Sequence, residues 1–177
     1  VMYNGVDLLK THNNKIVTLG MAHIPEGRHV FTRMSVEENL EMGAFSLKDQ
    51  SDLKKDLDMV YGLFPRLKER RNLMAGTLFG GEQPMLAFAG GRSTGPRLLI
   101  LDEATEGLAP VIREEIWRCL SLLKAQGQTV LVVDKYVDKL LPLADRHLIL
   151  ERGRIAWQGS SAELDGQREL WTRYLGV

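Results

Sequence analysis

The sequence of 177 residues has little of several features that define common protein classes. Cys119 is its single cysteine, so no disulfide forms within the chain, and a reducing compartment suits it. Its 23 Lys and Arg residues balance 23 Asp and Glu residues, which gives no support for binding to nucleic acid or to an anionic membrane surface. No apolar run approaches the roughly 18 residues that span a bilayer. We expect a globular chain that reaches a membrane only through partner proteins.

Two familiar ligand-binding motifs do not occur in the sequence. The P-loop, Gly-x-x-x-x-Gly-Lys-Ser/Thr, supplies backbone amides and a lysine that cradle phosphates. The Gly-rich stretch 90–95 lacks Gly-Lys-Ser/Thr and precedes a predicted strand, so we reject it as a P-loop. The histidines show no His-x-x-x-His or comparable metal-binding spacing (His12, His23, His29 and His147). The sequence therefore gives little support for a metal-dependent hydrolase.

A short apolar run ends in two carboxylates. Leu98–Leu101 is continuous and apolar, which is typical of a strand buried on both faces of a parallel sheet. Asp102 and Glu103 follow directly, at the edge where open α/β sheets bind ligands. Such a pair suits phosphate chemistry, in which one carboxylate holds Mg²⁺ and the other orients or deprotonates a water. The alternative is a buried strand followed by two solvated acids.

Local signals predict helices and strands on both sides of this run. Ser35-Val36-Glu37-Glu38 is a capping box, and its helix should end near Gly43. Gly80-Gly81 lets backbone amides approach an anion at the start of a further helix. Other helices are predicted over 53–64, 111–125, 137–141 and 164–174. Strands are predicted over 17–24 and over 129–133, the second of them buried and parallel, with a hairpin around Arg152-Gly153 and a solvated connection over 66–72.

These motifs together resemble the ATP-binding subunit of an ABC transporter. Leu98–Glu103 resembles the Walker B strand with its catalytic glutamate, and Leu78–Gln83 resembles the signature Leu-Ser-Gly-Gly-Glu-Gln. Ile24–Arg28 and Met34–Leu40 are similar to the branched-chain amino acid importer branch, in its smaller ATPase subunit. The resemblance begins at a point that follows the P-loop helix in the family. We therefore expect an amino-terminally truncated ATPase domain.

The resemblance implies a fold and an assembly. The expected fold is α/β, an incomplete P-loop NTPase-like parallel sheet in one domain, with an ABC-type helical subdomain inserted at about 35–95. The family binds ATP and Mg²⁺ and couples ATP hydrolysis to transport, here of branched-chain or other hydrophobic amino acids. The expected partners are transmembrane permease subunits and a second ATPase subunit. The expected location is cytoplasmic, peripheral at the inner face of the plasma membrane.

The resemblance also implies roles for individual residues. Asp102 would hold Mg²⁺, and Glu103 would polarise the attacking water. Glu26 stands where the family's glutamine contacts Mg²⁺ and this water, and the alternative is a turn carboxylate. Lys135 aligns with the switch histidine, and it either contacts a phosphate or is a solvated loop residue. The residues expected at the nucleotide of the opposite subunit are Phe79, Gly80, Gly81 and Glu82.

Three departures from the family support a second hypothesis. The P-loop sequence does not occur, and Phe79 stands where a serine hydroxyl would reach the γ-phosphate. Residues 89–95 also differ from the family, and Gly90 and Gly91 each cost a helix about 1 kcal/mol relative to Ala. We attribute this stretch to local degeneration. The alternative function is a non-catalytic ATPase-like fragment or accessory interaction module, and we expect no autonomous ATP hydrolysis by these residues alone.

Overall fold

The computed structural model divides the chain into two compact units, Val1–Val133 and Asp134–Val177. It describes residues 1–27, 30–44, 50–79, 81–93 and 95–175. In the described part of the first unit, the strands are β1 (Met2–Tyr3), β2 (Val6–Asp7), β3 (Met21–Ile24), β4 (Leu98–Asp102) and β5 (Thr129–Val133). The helices are α1 (Asn13–Ile16), α2 (Val36–Gly43), α3 (Gln50–Leu63), α4 (Pro65–Glu69), α5 (Glu82–Arg92) and α6 (Pro110–Ala125).

A parallel sheet with the order β3-β4-β5 forms the centre of the first unit, while β1 and β2 pair as an antiparallel hairpin. Ile24 lies beside Leu101, and Asp102 lies beside Val133. The three strands therefore end at the same edge, which confirms the predicted parallel α/β arrangement. The strand predicted over 17–24 begins only at Met21, because residues 17–19 close a 3₁₀ turn in which the Gly20 N–H donates to Val17 O.

One face of this sheet is buried more completely than the other. Leu99 and Leu101 are at most 1% exposed, whereas Leu98 and Ile100 are half-buried and Asp102 is exposed. The prediction that this strand is buried on both faces is therefore wrong for one face. The strand predicted over 129–133 is parallel as expected but not buried, since Leu131 is 46% and Val133 is 42% exposed. Among the described strands β5 pairs with β4 alone, so it stands at the end of the sheet order.

The helices between β3 and β4 confirm most of the local predictions. The capping box is present, with Ser35 N–H donating to Glu38 Oε2 at 2.7 Å and Glu38 N–H donating to Ser35 Oγ at 3.1 Å. The prediction of a solvated connection over 66–72 was wrong in part, because Pro65 begins the short helix α4. Leu67 in this helix is fully buried, while its charged neighbours face solvent. Helices α2–α5 lie within residues 35–95, where the inserted subdomain is predicted.

Gly91 in α5 and Gly43 in α2 have a packing role that the sequence did not show. Gly90 and Gly91 lie inside the helix, which continues to Arg92. A Cβ on Gly43 of α2 would overlap the carbonyl oxygen of Gly90, and a Cβ on Gly91 would lie 2.7 Å from Ile24 Cγ1 in β3. The missing side chains therefore let α5 lie directly against α2 and β3. This close approach accounts for Gly91, which we had attributed to degeneration, whereas a Cβ on Gly90 would meet only Asn39 O at 3.9 Å.

Helix α6 packs its apolar side inward, as the helical spacing predicts. Four of its buried residues are at most 3% exposed: Ile112, Ile116, Leu120 and Leu123. Cys119 is also fully buried, and burial raises the pKa of its thiol to about 11. This environment keeps the thiol protonated at neutral pH, so Cys119 is a core residue and not a nucleophile.

The second unit contains the hairpin of β6 (His147–Glu151) and β7 (Arg154–Gly159), with helices α7 (Val137–Leu143), α8 (Ser161–Asp165) and α9 (Glu169–Leu175). The core of this unit contains Val137, Ile149, Leu164 and Trp171. Two predicted boundaries were wrong. Helix α7 continues through Pro142, and the helix predicted over 164–174 is two helices, because α8 ends at Asp165 and α9 begins at Glu169. A capping box with Ser160 as the N-cap precedes α8. No helix in the described residues has the length and apolarity to cross a bilayer.

Candidate functional site

The predicted carboxylates lie at one edge of the parallel sheet. Asp102 is the last residue of β4, Glu103 follows it, and Glu26 lies two residues beyond the end of β3. All three residues are exposed. Because the strands are parallel, this is the edge at which ligands bind in open α/β sheets. The structure thus brings the three acids to one side of the sheet, as the sequence predicts.

Glu103 adopts a backbone conformation that is uncommon for a residue with a side chain. Its φ angle is 49°, and such a conformation costs on the order of 1 kcal/mol unless the surroundings fix it. Two hydrogen bonds do so: the Glu103 N–H donates to Val133 O at 2.9 Å, and Glu106 N–H donates to Glu103 O at 3.0 Å. Constrained backbone of this kind is concentrated at functional sites. It supports a functional assignment for Glu103.

The acids suit only one way of holding Mg²⁺. Within the described ranges, no group of three or more His, Cys, Asp or Glu residues is placed to hold a metal ion. Mg²⁺ in nucleotide sites, however, is bound through one or two carboxylates and completes its shell with phosphate oxygens and waters. Asp102, exposed at the end of a central strand, fits that mode. The assignments of Asp102 and Glu26 as metal ligands stay predictions.

The signature segment, residues 78–83, begins α5 as expected. Gly81 is the N-cap with a φ of 93°, and the helix starts at Glu82. Phe79 presents its ring to solvent, with 77% of the residue exposed. Gly80, like Arg28 and His29, lies outside the described residues. The nucleotide contacts assigned to this segment stay predictions.

Glu82 turns away from solvent, which the sequence did not indicate. The residue is 5% exposed, and its Oε1 lies 2.7 Å from Arg70 Nε. Its other carboxylate oxygen accepts a hydrogen bond from the Phe79 N–H at 3.2 Å. Arg70 follows α4, in the segment that was interpreted as a solvated connection. No periodicity links the two positions, so only the packing of α4 against α5 reveals the pair.

The signature segment also rests on α6. A Cβ on Gly81 would overlap Ile112 Cγ1 and lie 2.9 Å from Ile112 Cδ1. Both the positive φ angle and the lack of space require glycine here. The start of α6 therefore supports the signature segment and follows the loop that carries Glu103.

Lys135 belongs to the second unit and is exposed. The carboxylate of Asp134 accepts hydrogen bonds from the N–H groups of Lys135 at 2.7 Å and Tyr136 at 3.2 Å. This local turn leads into α7 and was not predicted. A contact between Lys135 and a phosphate stays a prediction, as does the alternative that Lys135 is a solvated loop residue.

Comparison with known proteins identifies the family. The ABC transporter family model matches residues 1–106. The chain is 42% identical over 176 residues to the high-affinity branched-chain amino acid transport ATP-binding protein BraG of Pseudomonas aeruginosa, covering 99% of this chain and 75% of BraG. It is 34% identical over 165 residues to the probable branched-chain amino acid transport ATP-binding protein LivF of Archaeoglobus fulgidus, covering 93% of this chain and 70% of LivF.

Solved structures agree with this result. The ADP conformation of MJ1267, an ATP-binding cassette of an ABC transporter, matches 99% of this chain and 76% of its own with a TM-score of 0.79 and 20% identity. An ATP-binding subunit of an ABC transporter matches 98% of this chain and 71% of its own with a TM-score of 0.78 and 22% identity. At these identities the likeness shows the fold alone, and it confirms the predicted fold class. The chain belongs to the ABC transporter family of ATP-binding proteins, in the branch of BraG and LivF.

Proposed function

We propose that this chain is an ATP-binding subunit of an importer for branched-chain or other hydrophobic amino acids. The similarity to BraG over 99% of the chain carries the proposal, because it spans every segment with a predicted nucleotide role. The subunit would work with transmembrane permease subunits and a second ATPase subunit at the cytoplasmic face of the plasma membrane. The transported compound would be selected by those other subunits.

The sheet edge supports a division of roles among the acids. Asp102 lies at the end of the central strand and is placed to hold Mg²⁺. The backbone of Glu103 is held in one conformation, so its carboxylate is suited to orient the attacking water and accept its proton. Glu26, at the same edge, would assist Asp102 in holding Mg²⁺ or Glu103 in orienting the water. Bound Mg-ATP would supply the phosphoanhydride bond that is cleaved.

A second function is favoured by one observation. Phe79 exposes its ring at the position where the family's hydroxyl would meet the γ-phosphate. An exposed ring suits contact with another protein and cannot donate a hydrogen bond to a phosphate. A non-catalytic accessory module would use the same fold for partner binding without ATP turnover.

Calorimetric titration with Mg-ATP separates the two functions. For an ATP-binding subunit we expect saturable binding at millimolar ATP that depends on Mg²⁺ and weakens in Asp102→Asn. Glu103→Gln should retain binding and abolish hydrolysis by the subunit assembled with its permease and second ATPase. Glu151→Gln changes an exposed acid in the second unit and should leave both measurements unchanged. Absence of binding at millimolar ATP would support the accessory module.

A further inference from the structure

Arg70 contacts the signature segment, yet neither the sequence motifs nor the sheet edge gives it a role. Its Nε lies 2.7 Å from Glu82 Oε1, and the carboxylate side chain is only 7% exposed while that of Arg70 is 43% exposed. A carboxylate buried without a cationic partner is costly, so Glu82 depends on Arg70 to remain in this position. The guanidinium therefore decides where the Glu82 carboxylate sits.

The same carboxylate continues to the backbone of the signature segment. Glu82 Oε2 accepts the Phe79 N–H at 3.2 Å, and the Glu82 N–H donates back to Phe79 O at 3.2 Å. Hydrogen bonds to a charged group are roughly twice as strong as neutral ones. The orientation of the Phe79 peptide is thus coupled through Glu82 to Arg70.

Arg70 is in turn anchored to other helices. Its own N–H donates to Arg66 O in α4 at 3.2 Å, and its carbonyl accepts the Leu73 N–H at 2.9 Å. Immediately beyond it, Arg71 O accepts the Glu37 N–H of α2 at 3.0 Å. Backbone hydrogen bonds therefore tie Arg70 to α4 and its neighbour Arg71 to α2, and the Arg70 side chain extends this connection through Glu82 to the Phe79 amide.

We propose that Arg70 is a positioning residue that holds the signature segment in its nucleotide-facing orientation through Glu82. Glu82 then acts on the backbone of its own chain, whereas the sequence assigned it to the nucleotide of the opposite subunit. The inference rests on the proposed function, since it assumes that the segment contacts nucleotide. A shift of α4 relative to α5 would be passed to the Phe79 peptide by this pair.

Amide hydrogen exchange in the nucleotide-free chain tests this clamp, by which we mean the hold of Arg70 and Glu82 on the Phe79 peptide. In Arg70→Gln the Phe79 amide should exchange at least about tenfold faster. The substitution removes the charge-assisted bond between Arg70 and Glu82, and such a bond changes the equilibrium between the closed and the open state of the segment by more than about a factor of ten. Arg70→Lys keeps the charge and should lie close to the wild type, and it remains informative if Arg70→Gln folds poorly. Lys68→Gln removes a neighbouring exposed charge from α4 and should change nothing. The Leu120 amide, in the buried side of α6, reports global unfolding, so its exchange in the same four proteins separates a loss of overall stability from a local release of the Phe79 amide.

ATP hydrolysis by the assembled transporter tests the purpose of the clamp. Arg70→Gln should raise KM for ATP about tenfold. Arg70→Lys should keep KM close to the wild-type value, and Lys68→Gln should match the wild type. Arg70→Gln and Glu82→Gln together should be less harmful than the sum of the single changes, because no charge is left unpaired. Unchanged exchange at Phe79 would overturn the clamp and leave the proposed function intact. Faster exchange with an unchanged KM would overturn the nucleotide role of the segment and, with it, the purpose proposed for Arg70.

Discussion

The contact between α2 and α5 makes two glycine substitutions unequal. A Cβ on Gly43 would overlap the Gly90 carbonyl oxygen and lie 2.9 Å from the Gly90 carbonyl carbon and 3.0 Å from its Cα. These are backbone atoms, so relief requires a helix to move. A Cβ on Gly90 would meet only Asn39 O, at 3.9 Å, which is ordinary van der Waals contact. Alanine should therefore be tolerated at Gly90 and resisted at Gly43.

The expected free energies have opposite signs. Gly90→Ala lies inside α5 and should raise the free energy of unfolding by about 0.5–1 kcal/mol, because alanine loses less conformational entropy in a helix. Gly43→Ala, at the end of α2, gains less from this effect and incurs an overpacking cost of about 1–3 kcal/mol. The two alanine variants should thus differ by about 2 kcal/mol, with Gly90→Ala the more stable.

Urea denaturation followed by circular dichroism measures this difference. The slope against urea should be the same for both variants and the wild type, so that the midpoints report stability directly. Each variant serves as the composition-matched control of the other. Equal stability of the two variants, or stabilisation by Gly43→Ala, would refute the close approach of α2 and α5.

Two further predictions concern His147 and Phe79. Burial lowers the pKa of His147, whose Nε2 lies 2.8 Å from Ser161 Oγ, so the unfolded chain binds this proton at higher pH than the folded chain does. The stability that neutral His147 contributes is present above pH 6.5 and is lost as the pH falls below that value. NMR titration of the His147 ring checks the lowered pKa, and the free energy of unfolding of His147→Gln should depend less on pH than that of the wild type. Phe79→Ser should change the free energy of unfolding by less than about 0.5 kcal/mol, because the ring is exposed. It should also raise ATP hydrolysis by the assembled transporter up to about tenfold by restoring a hydroxyl donor, and an unchanged rate would contradict the role assigned to this position.

The features that the sequence predicted correctly depend on neighbouring residues. Ser35 and Glu38 satisfy each other's backbone within one turn, so their capping box is visible in the sequence. The apolar spacing of α6 and the run that forms β4 likewise carry their own signals. Because the carboxylates directly follow that run, the sheet edge of the candidate site was also predictable.

The features that the sequence missed depend on distant parts of the chain. The ion pair of Arg70 and Glu82 and the contact of Gly43 with Gly90 exist only because α5 packs against earlier helices. The exposure of Leu131 reflects the place of β5 in the sheet order, which its own β-forming residues do not encode. Local patterns determine the type of an element, whereas its neighbours determine burial and long-range pairing.

The support of Gly81 by Ile112 has a consequence for how such motifs change during evolution. Gly81 is fixed by its φ angle and by the side chain against it, so replacing it would require α6 to repack. Phe79 has no comparable packing demand, because most of the residue is exposed. A chain that no longer needs the segment for nucleotide is therefore free to change at position 79 and still obliged to keep glycine at position 81. Part of a nucleotide-binding signature can persist as a folding requirement after its ligand has been lost.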